Sequence, residues 1–197
     1  MGNIEEAART YVEHREQFPQ TYNGWRAYYL LVVFNAKVCL RFNQFYQADI
    51  YLKEAKDLLT KQANREEKKD DTGYENFNLR SFAEILLMKA ELRLRMHELQ
   101  HALRPLFKLN RLLDKKLRAD KDRDLRVSYY ILMAEINQAR KEFVMAFEYT
   151  EKAIKLQKKI GSLKVREIID RRNTMMKELI AKDKTNQVEK KLSFLER

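Results

Sequence analysis

Among the residues able to do chemistry, the most suggestive set is His97-Glu98-Leu99-Gln100-His101, which spells H-E-x-x-H. On a helix, imidazoles four residues apart face the same way and can hold zinc, while the glutamate serves as base toward a metal-bound water. That chemistry requires both rings on a formed helix and a third ligand. The only other histidine, His14, lies far upstream, and no obvious third ligand follows His101. Cys39 is the single cysteine, so no internal disulfide forms; within an apolar run it reads as a buried, inert thiol. Gly2, Gly24, Gly73 and Gly161 are isolated, and none opens a phosphate-cradling loop. Nothing supports a Ser/His/Asp or Cys/His arrangement. The residues therefore predict no enzyme, no cofactor and no metal site.

What positions these residues is an internal repeat. Four segments align without gaps: GNIEEA (Gly2–Ala7), NQFYQA (Asn43–Ala48), HELQHA (His97–Ala102) and KEFVMA (Lys141–Ala146). Each begins with a polar residue or glycine, has a large apolar residue third (Ile4, Phe45, Leu99, Phe143) and ends in alanine. Twelve residues before the last three alanines stand Ala36, Ala90 and Ala134; seven residues after them stand Ala55, Leu109 and Ala153. Small side chains in this register let two antiparallel helices approach closely across a short turn. The turns fall at Arg41–Gln44, Met96–Glu98 and Arg140–Glu142. In this register HELQHA is a hairpin turn, and His97 falls at the start of a helix rather than within one.

A small residue in a first helix, then an aromatic and an alanine opening the second, then a further alanine, resembles the tetratricopeptide repeat (TPR). Gly2, Ala7, Tyr11 and Pro19 fit the second helix of such a repeat, and Lys141–Gln157 is the next best match. The resemblance covers about residues 1 to 157. The spacings depart from it: successive alanines at 48, 102 and 146 lie farther apart than the roughly 34 residues of the ordinary repeat. Val32, Leu86 and Tyr130 replace its usual tryptophan. The resemblance implies an all-α, right-handed superhelical stack of antiparallel hairpins, a TPR-like α-solenoid. The chain opens on a second helix without a first, so it is expected to be part of a longer protein or to have that helix covered by a partner.

Composition agrees with an all-helical protein. Hydrophobic residues make up 45% and charged residues 35%, while glycine (4) and proline (2) are too few for many tight sheet turns. Apolar periodicity predicts helices over 3–17, 22–42, 44–62, 74–96, 98–117, 123–140, 142–159 and 162–182, with a weaker one at 185–196. Lys61–Gly73 reads as a polar loop, and Pro105 should kink the fifth helix or shift its start. Residues 1–160 are expected to form the array. Residues 161–197 should be a capping helix, striped by Val165, Ile168, Ile169, Met175, Met176, Leu179 and Ile180, followed by a helical tail. Such a tail is similar to the helix that leads from TPR arrays into output domains in bacterial signalling proteins. No signal segment or membrane span is visible, and a cytoplasmic location is expected.

The hairpin array implies a concave groove lined by the first helices. The residues read as turned away from the packing alanines are Val33, Lys37, Leu40 and Arg41, then Leu87, Glu91, Leu94 and Arg95, then Ile131, Glu135 and Gln138. Their mixture of apolar and charged groups suits a peptide or helix of a partner protein. TPR domains that grip C-terminal carboxylates carry a lysine where Val33, Leu87 and Ile131 stand, which argues against that ligand. Tyr22, Trp25, Tyr28 and Tyr29 read as core at helical spacing, with Trp25 placed to anchor a partner if exposed. The competing reading rests on charge. The net charge is +11, all of it in residues 103–197, with 25 basic against 14 acidic residues. There Arg104, Lys108, Arg111, Lys115, Lys116 and Arg118 could meet nucleic acid or another acidic polymer, although Asp114, Asp120, Asp122 and Asp124 interleave them.

Overall fold

The computed structural model describes residues 22–66, 72–117 and 122–158, and residues 170–185 apart from 173 and 176. These residues form helices and the turns between them, with no strand among them. In order they are α1 (Tyr22–Arg41), α2 (Phe45–Glu66), α3 (Thr72–Arg95), α4 (Leu99–Lys115), α5 (Arg123–Ala139) and α6 (Phe143–Lys158). Residues 170–172, 174–175 and 177–185 are also helical and are labelled α7. The expected helices at 3–17 and 185–196 and most of the 161–197 cap lie outside the described residues. The chain divides into two compact units, Met1–Met96 and His97–Arg197.

The repeat register is written into the backbone of the turns. Asn43, His97 and Lys141, the first residues of three aligned segments, have φ of 58°, 60° and 61°. Each is the left-handed residue that ends one helix before the next begins. At the first turn Gln44 N–H reaches Cys39 O at 2.8 Å and Asn43 N–H reaches Leu40 O at 3.2 Å. At the third, Glu142 N–H reaches Asn137 O at 2.8 Å and Lys141 N–H reaches Gln138 O at 2.9 Å. Both are Schellman pairs, which satisfy carbonyls that the helix end would otherwise leave open. The following residue starts the next helix: Gln44, Glu98 and Glu142 accept through their carbonyls from Ala48, Ala102 and Ala146, each at 3.0 Å.

The first unit packs α1 against α2, and α2 against α3. Ala36, Ala48 and Ala55 are fully buried, with Val32, Leu52, Ile85 and Leu92 filling the space around them. Tyr28 and Tyr29 belong to this core, and Trp25 stacks on Tyr29 with ring centroids 5.8 Å apart. Tyr29 Oη donates to Ser81 O at 3.3 Å, and burial raises its phenol pKa. Burial likewise raises the Cys39 thiol above its ordinary range. The polar stretch from Lys61 does not open a loop at once: α2 continues to Glu66, and α3 begins at Thr72. Lysine, glutamine, alanine, arginine and glutamate propagate helix well, so polarity alone is a poor sign of a break.

In the second unit, α5 packs on α6, and α4 on α5. Helix α4 runs from Leu99 straight through Pro105, so the proline does not shift its start. Its buried face is Ala102, Leu103, Leu106, Leu109 and Leu113. Arg126 of α5 donates to Leu113 O at 2.7 Å and to Asp114 Oδ1 at 3.1 Å, tying the end of α4 to its neighbour. Helix α7 closes the α5–α6 pair. Met175 is fully buried with Ala134 and Ala146, and Thr150 Oγ1 lies 3.4 Å from its sulfur.

Candidate functional site

The H-E-x-x-H motif does not have the geometry its chemistry requires. His97 is a left-handed turn residue and α4 begins at Leu99, so the two imidazoles do not share a helix. His101 is exposed, with Nδ1 3.3 Å from Glu98 Oε2. No group of three His, Cys, Asp or Glu side chains among the described residues converges on a point that could hold a metal ion.

The residues expected to line a groove fall into three sets. On α1, Lys37 and Arg41 are exposed, but Val33 and Leu40 are core residues, 4% and 3% accessible. This corrects the reading that all four turn away from the packing alanines. Val33 stands three before Ala36 and Leu40 four after it, and residues three and four apart share a helix face. The same relation holds for Leu87 and Leu94 about Ala90, and both are half-buried.

Arg95 and Lys37 tie α1 to α3. Arg95 donates to Leu40 O at 2.8 Å and pairs with Glu91 at 2.6 Å. Lys37 approaches Glu84 at 4.0 Å. The Leu40 carbonyl already accepts from Asn43 N–H, and Arg95 adds a second, charged donor at the end of α1. In the second unit α7 occupies the third set. Arg171 pairs with Glu135, and Gln138 Nε2 lies 3.5 Å from Glu178 Oε1. Ile131 packs beside Val127, Ala153 and Ile154.

Helix phase instead leaves a different strip open on α1. Leu30, Phe34, Lys37 and Arg41 follow one another by four, three and four residues, and all are exposed. Leu30 and Phe34 are 51% and 54% accessible, unusual for large apolar side chains beside a well-filled core. The same hairpin exposes Phe42 in its turn and Tyr46 and Ile50 on α2. The sequence pointed to Lys37 and Arg41 but not to Leu30 and Phe34, because Val33 and Leu40 were placed on the outward face in their stead. The available signal was a second apolar pair at i, i+4 that runs directly into two cations.

The second unit has a cleft of about 380 Å³ lined by Lys141, Glu142, Phe143, Val144, Met145, Leu179, Lys182 and Asp183. Lys182 Nζ lies 5.5 Å from the centre of the Phe143 ring. The same unit holds one buried tyrosine and two half-buried ones: Tyr129 lies 5.5 Å from Tyr130, and Tyr130 lies 6.2 Å from Tyr149, between ring centroids. Burial, reinforced by the Tyr149 and Tyr130 phenols and Asp114, pushes the Tyr129 phenol up to about 12.

Among the described residues no helix is long and apolar enough to cross a membrane. Set against known proteins, the chain matches no family model, no curated protein and no solved structure.

Proposed function

We propose that this chain is a protein-interaction module, a cytoplasmic TPR-like stack of helical hairpins that serves as a scaffold or sensor within a larger signalling or regulatory protein. The repeated left-handed turns and buried alanines support the hairpin reading. The exposed strip Leu30–Phe34–Lys37–Arg41 carries the functional one. Two large apolar side chains followed by two cations on one helix face fit an amphipathic helix that brings its own apolar residues and acids. Phe34 is the anchor in this reading, because an aromatic ring contributes the largest buried area of the four. This surface keeps Lys37 and Arg41 of the anticipated groove and takes Leu30 and Phe34 in place of Val33 and Leu40, which are already covered.

A photo-crosslinking residue placed at position 34 tests the reading in cells that produce the protein. The expected adduct is one partner, captured through a helical segment bearing apolar residues at i, i+3 or i+4 and i+7 and acids beside them. The same probe at Lys53, an exposed residue of α2 paired with Asp49 at 2.8 Å, should not capture it. Equal capture from both positions would show that the strip is ordinary surface.

A further inference from the structure

Helix α4 carries a second outward face of different chemistry. Arg104, Lys108, Arg111 and Lys115 are all exposed and follow one another by four, three and four residues. They form one line that rises about 16 Å along the helix. None of the four is engaged in an ion pair among the described residues, whereas the single acid of α4, Asp114, is held by Arg126 and Asn110. Beside the line stands Phe107, 60% accessible, four residues before Arg111 and three after Arg104. The opposite face of α4 is fully committed to the core.

We propose that this face binds single-stranded nucleic acid, with the four cations tracking the phosphates and Phe107 stacking on a base. Unpaired, evenly spaced cations with an exposed aromatic ring at their edge are the two parts such a site needs. An acidic partner helix fits less well, since helix pairing requires an apolar seam and Phe107 is the only exposed large apolar residue of α4. A membrane surface fits less well for the same reason: one ring gives little apolar area to insert, and the apolar face of α4 points inward.

The test is fluorescence anisotropy of the full chain with a labelled oligouridylate of about twelve nucleotides. Four phosphate contacts predict a salt slope of about −3, and so a loss of about fiftyfold in affinity between roughly 50 and 200 mM salt. The double variant Arg104→Gln/Arg111→Gln should halve that slope and weaken binding by about tenfold or more. Phe107→Ala should weaken binding by about fivefold or more with the slope unchanged. All three side chains are exposed, and far-ultraviolet circular dichroism of each variant checks that its fold is intact. The proposal is overturned if the variants bind as the parent does. It is also overturned if polyglutamate displaces the oligonucleotide at equal charge, which would mean an acidic protein ligand. Phe107-dependent binding to phosphatidylserine vesicles without any anisotropy change would mean a lipid surface instead.

Discussion

Replacing Lys141 with glycine should stabilise the second unit. Lys141 sits at φ 61°, where its Cβ crowds the neighbouring carbonyl at a cost of about 1–2 kcal/mol. Glycine removes that cost but adds freedom to the unfolded chain, which takes back about 0.5–1 kcal/mol. The exposed lysine side chain gives up little else. The net gain is about 0.5–1 kcal/mol, and the Schellman bonds of Lys141 and Glu142 to Gln138 and Asn137 are backbone bonds that glycine keeps. In urea denaturation with a slope near 2 kcal/mol per M, the midpoint should rise by about 0.3–0.5 M. His97→Gly should behave alike, because its φ of 60° carries the same strain. Asn43→Gly should change little, since a short amide side chain tolerates the left-handed region. A lowered midpoint for Lys141→Gly, or an equal gain for Asn43→Gly, would refute the turn reasoning.

Three other outcomes follow from the packing. Met175→Ala removes a fully buried side chain at the seat of α7, a change worth about 2–5 kcal/mol; amide exchange over residues 177–185 should quicken by about thirtyfold or more while α1 and α2 keep their protection. Ala48→Leu overfills a position with no accessible surface and should cost about 1–3 kcal/mol in thermal or urea unfolding, whereas Gln47→Leu, one residue away and exposed, should stay within about 0.5 kcal/mol. Burial and neighbouring phenols raise the Tyr129 pKa to about 12, so folding favours its neutral form. That contribution is intact below about pH 10, where unfolded tyrosine is still protonated, and is lost as pH rises through about 12. Tyr129→Phe should remove a step near pH 12 from the tyrosine absorbance titration and flatten the alkaline loss of stability.

The hairpins were legible in the sequence because their geometry depends on few residues. Alanines such as Ala48 recur at fixed offsets from one another, and three copies in register fix the turns at Asn43, His97 and Lys141. The same register correctly placed His97 outside a helix. Helix continuation past Lys61 was obscured because a run of charged helix-formers looks like a linker when only polarity is weighed. Pro105 was expected to kink the fifth helix or shift its start, yet α4 starts at Leu99 and runs past the proline with Leu103, Leu106 and Leu109 buried on its inner face. The candidate site was the least legible part. Val33 and Leu40 share the alanine face and are buried, while Leu30 and Phe34 lie on the far side and remain open. Apolar character alone does not separate these pairs; their phase relative to Ala36 does. The engagement of Glu135 by Arg171 could not be foreseen either, since it depends on where α7 docks.

The claim that α1 presents a protein-binding strip can be tested without knowing the partner in advance. A displayed library of helical peptides, selected on the full chain, should enrich sequences with apolar residues at helical spacing and acids opposite Lys37 and Arg41. Affinity of an enriched peptide would then be measured by titration against the parent and against Phe34→Glu, an exposed substitution that leaves the core untouched. Phe34→Glu should lose about thirtyfold or more in affinity, the weight of a central aromatic anchor. Equal affinity for the two proteins would contradict it.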